Sequence, residues 1–251
     1  MDYSQRALQF VCQGQSLVGI IDVPERPLAR GVLVISGGPH YRVGSHRAYA
    51  LLARLLAPRG IAVMRFDCRG MGDSEGEAHT CDHIEEDIRA AIRELFMQVQ
   101  EMQEIVIWGL GDGATAATLY GHTDERVRGL VLLNPWSGGT KGAPRASMLA
   151  HLLGRVGELS FWNKVGNRHA VAVDPGMPMP QRILASLACF NGPALVVVGG
   201  ADAVGREFAE LMERNDTPMR RVTIAGANHT FASREWRDEV AELSANWIVS
   251  W

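Results

Sequence analysis

Short apolar runs of strand length, each followed by a stretch with helical spacing, recur along most of this chain. Gly31–Ile35 is apolar at every position and ends in Ser36-Gly37-Gly38-Pro39. Such a run suits a central strand covered on both faces. Ala48–Leu56 then has helical spacing and stops at Pro58-Arg59-Gly60. The same reading predicts strands over Ile61–Phe66, Glu104–Trp108, Val127–Leu133, Ala194–Val198 and Arg221–Ile224. Helices are predicted over Asp82–Val99, Asp112–Tyr120, Val204–Arg214 and Arg234–Ile248, and residues 7–12 and 16–23 read as an N-terminal hairpin. This alternation implies an α/β fold built on a doubly wound, mostly parallel sheet.

The rhythm lapses between Pro135 and Asn191, where no clear strand is found. The predicted organisation is a core of residues 1–136 and 191–251 interrupted by a small helical cap insertion at 137–190, with helical pieces near Ala146–Leu159 and Arg182–Leu187. An insertion of that size after a sheet strand is placed to cover the strand ends, where α/β sheets bind ligands.

The 251 residues are 47% hydrophobic with a formal net charge of −3, too apolar for disorder and without the basic excess that nucleic acid or an anionic membrane would call for. Cys12, Cys68, Cys81 and Cys189 lie far apart with no C-x-x-C pair, which fits a reducing compartment. The start has no basic segment leading into an apolar one, and no apolar run approaches the ~18 residues of a membrane span, so a cytoplasmic protein is expected.

Two motifs fit Trp108-Gly109-Leu110-Gly111-Asp112-Gly113-Ala114. Gly109, Gly111 and Ala114 satisfy the dinucleotide fingerprint, but no acid stands about 20 residues on, where Leu133-Asn134-Pro135 ends the next strand. The nucleophile elbow also fits, since it needs small residues two before and two after the nucleophile. Gly109 and Gly113 meet that need only if the slot is Gly111, which holds no nucleophile. An acid and a base follow in the chain order of a hydrolase: Asp202 after the strand at 194–198, then His229 in the loop after the last strand. A carboxylate on one imidazole nitrogen would leave the other to act as base. Oxyanion donors would be the N–H groups of Gly38 and Asp112. His40, Tyr41 and Arg42 continue the first loop as a polar cluster that either meets an anionic substrate group or forms a solvated helix entrance. His79 and His83 have the i,i+4 spacing of metal ligands but no evident third partner, so neither metal nor cofactor is expected.

Asp67-Cys68-Arg69-Gly70-Met71-Gly72-Asp73-Ser74 resembles the D-x-R-G-x-G-x-S loop of α/β-hydrolases. Gly37–Arg47, with Gly226–Phe231, is similar more narrowly to the exosortase A system-associated hydrolases, type 1. That resemblance spans nearly the whole chain. It implies an α/β-hydrolase fold, a bacterial exopolysaccharide context, Asp202 and His229 as acid and base, and Gly38 and Asp112 as oxyanion donors. Where the family carries a cysteine nucleophile, this chain has Gly111. The implied function is a hydrolase of a small-molecule acyl ester or thioester in which Gly111 is an inactivating change, natural or engineered. A ligand-binding or regulatory member of the fold without turnover, a hydrolase in which His229 activates water directly, and a nucleotide-dependent enzyme are the alternatives.

Overall fold

The computed structural model describes residues 2–37, 41–135, 173–174, 176–215, 217 and 219–251. Eight strands form one sheet: β1 (Tyr3–Cys12), β2 (Gln15–Pro24), β3 (Arg30–Ile35), β4 (Val63–Phe66), β5 (Glu104–Leu110), β6 (Val127–Leu133), β7 (Ala194–Gly199) and β8 (Arg220–Ile224). Their spatial order is β1-β2-β4-β3-β5-β6-β7-β8. The first hairpin pairs antiparallel within itself and with β4, and every later pairing is parallel. This is the α/β-hydrolase fold.

Side-chain alternation sorts each central strand onto two cores. Leu33, Ile35, Ile105, Ile107, Leu130 and Leu132 face the side covered by α2 (Glu85–Gln98), α3 (Asp112–Gly121), α4 (Met179–Cys189) and α5 (Ala203–Arg214). Val32, Val34, Val106, Trp108, Val131 and Leu133 face α1 (Ala48–Leu56) and α6 (Arg234–Ile248). A strand buried on both faces must be apolar at successive positions, which is why these runs were conspicuous in the sequence.

Several expected elements change in extent; β4 begins at Val63 rather than Ile61, and β5 runs on to Leu110 rather than ending at Trp108. β1 begins at Tyr3 rather than residue 7, since Tyr3–Arg6 lies on an edge strand whose residues are mostly exposed and carry no apolar period. α2 begins at Glu85, because Asp82 accepts hydrogen bonds from Thr80 Oγ1 (2.7 Å) and Arg182 (3.1 Å) before the helix starts. The helical piece near 182–187 is α4, whose Ile183, Leu184 and Leu187 pack into the sheet's core beside α3. The rest of the proposed insertion, 137–172 and 175, lies outside the described residues.

The order β4-β3-β5 contains a reversal: from β3 the chain first adds β4 on one side, then β5 on the other. Ligands bind outside the carboxyl ends of strands flanking such a switch point. Ser36-Gly37 and Gly111 stand there.

Candidate active site

β5 ends at Leu110 and α3 begins at Asp112, so Gly111 alone makes the turn. Its backbone is held at φ 57°, ψ −119°, with its N–H donating to the Leu133 carbonyl at 2.9 Å. The left-handed φ is a pose that side-chain-bearing residues adopt only under strain and glycine adopts freely. The flanking glycines are required by close approach. A Cβ on Gly109 would fall on the Gly113 backbone, one on Gly113 on the Ile35 carbonyl, and one on Gly37 on the Gly113 nitrogen. The end of β3, the end of β5 and the start of α3 are therefore in backbone contact, and the small-x-x-x-small spacing is its sequence signature.

Opposite this turn stands His229, on the loop between β8 and α6. Its Nδ1 lies 3.0 Å from Asp202 Oδ2. A Cβ placed on Gly111 would lie 3.0 Å from His229 Nε2 and 3.5 Å from Cε1. Gly111, His229 and Asp202, far apart in the chain, thus form one line of groups, with the carboxylate on one imidazole nitrogen and the empty side-chain position on the other. Asp202 is buried while the His229 side chain is 45% exposed, so the acid is enclosed and the base faces outward. Asp202 is also the N-cap of α5, accepting the Gly205 N–H at 3.1 Å on the same oxygen.

The electrostatics follow from that contact. The hydrogen bond with Asp202 raises the His229 imidazole above its ordinary value; burial opposes, and the charges of Asp202 and Asp112 add to the rise. Burial pushes the Asp202 carboxyl up, but the His229 hydrogen bond and charge, with the amides of Gly205 and Val204, leave it below the usual carboxylate range. An ionised acid holding Nδ1–H presents Nε2 as a proton acceptor toward position 111.

Asp112 follows Gly111 as the first residue of α3, where its N–H is not committed to an intrahelical bond. Gly38 and His40, expected as an oxyanion donor and a substrate contact, lie outside the described residues. Tyr41 is 48% exposed. The guanidinium of Arg42, expected with Tyr41 either to meet an anionic substrate group or to form a solvated helix entrance, is paired with Asp67 and, at 2.7 Å, with Asp73. Asp67, fully buried, also accepts the N–H groups of Arg42 (2.6 Å) and Asp73 (3.1 Å). The D-x-R-G-x-G-x-S loop thereby fastens the segment that follows β3. Gly72 supports this close fit: it has φ +53°, and a Cβ there would press on the Asp67 carboxylate. Among the described residues no group of three potential ligands could hold a metal ion, and no helix is long and apolar enough to cross a membrane.

Two features escaped the sequence reading. One is Asn134, fully buried at the end of β6, with its carboxamide reaching both the His229 carbonyl and the Gly199 N–H. The available signal was a polar residue directly after the apolar run Leu130–Leu133. The other is a cavity of about 290 Å³ between α1 and α6, lined by Leu52, Trp108, Leu110, Leu133, Thr230 and Phe231. Leu110 and Thr230 are the chain neighbours of Gly111 and His229.

Comparison with known proteins agrees with the architecture. The model of the hydrolase family described as "Serine aminopeptidase, S33" matches residues 29–175. Among solved structures, Est1E from Butyrivibrio proteoclasticus with bound ferulic acid shares 19% identity at a TM-score of 0.67, over 97% of this chain and 98% of that one. Dienelactone hydrolase from Anabaena variabilis ATCC 29413 shares 17% at a TM-score of 0.69, over 100% and 99%. DcsB in complex with its substrate analogue shares 16% at a TM-score of 0.71, over 98% and 99%. At these identities the likeness is one of fold. No curated protein matches the chain by sequence.

Proposed function

Because the chain belongs to the serine aminopeptidase S33 family of hydrolases, we propose that it carries an ester- or thioester-hydrolase site silenced at its nucleophile. One observation carries this reading: a Cβ added at position 111 would meet His229 Nε2 at 3.0 Å, while Asp202 holds Nδ1 at 3.0 Å. That is the arrangement of an acid, a base and a nucleophile whose third member has lost its side chain. In this reading Asp202 is the acid, His229 the base, and the N–H groups of Gly38 and Asp112 the oxyanion donors. The bound ligand is a small acyl ester or thioester. The apolar cavity beside Leu110 and Phe231 supports an apolar acyl group, and the esters implied by the printed names of Est1E and dienelactone hydrolase are of the same broad class.

The finer placement rests on resemblance. Gly37–Arg47 and Gly226–Phe231 support membership of the exosortase A system-associated hydrolases, type 1, and with it an exopolysaccharide context in a bacterium. Four cysteines that lie far apart in the sequence, with no C-x-x-C pair, support a cytoplasmic setting. The division into a core of 1–136 and 191–251 interrupted by an insertion at 137–190 belongs to the same proposal, with α4, at the end of that insertion, counted with the core it packs on.

Hydrolysis of p-nitrophenyl esters and acyl thioesters tests the reading, comparing the unaltered chain with Gly111→Cys and Gly111→Ser, each with and without His229→Ala. The expected result is a gain of at least about a hundredfold on restoring a nucleophile, lost again with His229→Ala. If both restored variants fold and stay inert, the hydrolase reading fails and a binding member of the fold takes its place.

A further inference from the structure

We propose that Asn134 is a positioning residue that aligns His229 with Asp202 by clamping the two segments that carry them; the catalytic sense of this role rests on the hydrolase reading above, but the alignment itself does not. Asn134 directly follows β6 at the switch from strand to loop, has no exposed surface and holds φ at +41°. Asparagine is among the few side-chain-bearing residues that tolerate this left-handed pose.

The pose aims the carboxamide across the carboxyl ends of two neighbouring segments. Nδ2 donates to the His229 carbonyl at 2.9 Å, and Oδ1 accepts the Gly199 N–H at 2.8 Å. The Asn134 N–H in turn donates to the Val197 carbonyl at 2.9 Å. The chemistry of the partners sets the amide's orientation, since a carbonyl only accepts and an N–H only donates. Gly199 lies three residues before Asp202, and the His229 carbonyl belongs to the base itself. One buried side chain therefore joins the end of β7, three residues before the acid, to the loop bearing the base.

The surroundings are shaped to admit it. A Cβ on Gly205, in the first turn of α5, would lie 2.5 Å from Asn134 Oδ1 and 3.1 Å from Asp202 Oδ2. The absence of a side chain at 205 lets the carboxamide and the carboxylate share that corner. An amide with both ends satisfied in a water-poor site is rigid, because releasing either bond leaves a buried polar group unpaired.

The test is Asn134→Gly, which keeps the left-handed backbone available and removes only the clamp. Its readout is the titration of His229 by NMR on histidine-labelled protein, with His229→Ala identifying the resonance among eight histidines. Asp202 and Asp112 are the charged groups that act on this imidazole, and neither is altered. Ser244→Ala, which removes the hydroxyl 3.1 Å from Trp108 Nε1, is the destabilised control that leaves Asn134, Asp202 and His229 unaltered. The expected result is a His229 pKa that falls toward the ordinary imidazole value in Asn134→Gly and stays put in Ser244→Ala.

In the Gly111→Cys background, Asn134→Gly and Asn134→Asp lower kcat by about tenfold to a hundredfold with KM little changed, the loss that follows misplacing a catalytic group by up to ~1 Å. Asn134→Asp keeps the acceptor for Gly199 and loses the donor to His229, so it serves if the glycine variant does not fold. An unchanged His229 titration in folded Asn134→Gly protein, or an unchanged kcat in both variants of an active Gly111→Cys enzyme, overturns the proposal. A shifted titration alongside an inert Gly111→Cys enzyme upholds the clamp and removes the hydrolase reading.

Discussion

His229 Nδ1 and Asp202 Oδ2 meet at 3.0 Å across the carboxyl edge of the sheet, although 27 residues separate them in the chain. The path between them runs through α5 and β8, so the contact exists only because β7 and β8 are parallel neighbours whose C-terminal loops open on the same edge. The pair couples the ionisation of each partner to folding, and the two effects have opposite signs.

Stability should carry this signature. His229 titrates above its ordinary value, so its contribution is complete below the unfolded imidazole pKa and is lost as pH rises through the folded value. Asp202 titrates below the usual carboxylate value, so its contribution is present above the unfolded carboxyl pKa and is lost as pH falls through the folded value. The Tm difference between the unaltered chain and His229→Ala is therefore expected to peak in the mildly acidic window between ordinary carboxyl and imidazole values, and to shrink on both sides. Thermal unfolding of both proteins from about pH 3 to 9 checks this. A difference that is flat with pH would show that the pair is not coupled to folding.

The same shift sets the pH profile of a restored enzyme. A base must be neutral to accept a proton, and the raised imidazole pKa delays that state. In Gly111→Ser the acid limb of kcat/KM is expected above the ordinary imidazole value, and Asp202→Asn should move it downward while lowering the rate. Initial rates across the pH range give both numbers.

Restoring a nucleophile should also cost stability. The backbone at 111 sits at φ 57°, and a Cβ there would press on His229 Nε2 at 3.0 Å. Gly111→Ala, Gly111→Ser and Gly111→Cys are each expected to lose about 1–3 kcal/mol, the cost of holding a side-chain-bearing residue in a sparsely populated conformation. Urea unfolding midpoints measure the loss; midpoints equal to that of the unaltered chain in all three would show that the turn relaxes.

Asp67 is expected to matter through the loop it fastens. It is fully buried and engages Arg42 through both backbone and side chain. Arg42→Ala leaves that carboxylate short of its partner, and breaking a buried pair from one side costs about 3–5 kcal/mol. Chemical denaturation of Arg42→Ala against Asp73→Ala, which removes only the exposed carboxylate, separates the two partners. A loss below about 1 kcal/mol in Arg42→Ala would place the anchor elsewhere.

The fold was legible because a doubly covered parallel sheet must write itself as uninterrupted apolar runs. Gly31–Ile35, Val127–Leu133 and the helices Ala48–Leu56 and Arg234–Ile248 need no long-range information to be read. The small-x-x-x-small spacing around Gly111 was legible for a related reason: backbone contact at a single strand-to-helix turn is a local demand on residue size. The edge strand start at Tyr3–Arg6 was not, since exposed edge residues answer to no core.

By itself, the chain's order of residues determined the α/β alternation, the turn at 111 and the succession of Asp202 and His229, because each depends on local pattern or chain order. Tertiary structure alone decided what those residues do to one another. It brought the empty side-chain position of Gly111 to within 3.0 Å of His229 Nε2, paired Arg42 with Asp67 and Asp73, and gave Asn134 both its partners. The physical reason is range: apolar periodicity and turn chemistry act over a few residues. Hydrogen bonds and ion pairs choose partners by distance in space, and that distance is set only when parallel strands bring their C-terminal loops to one edge.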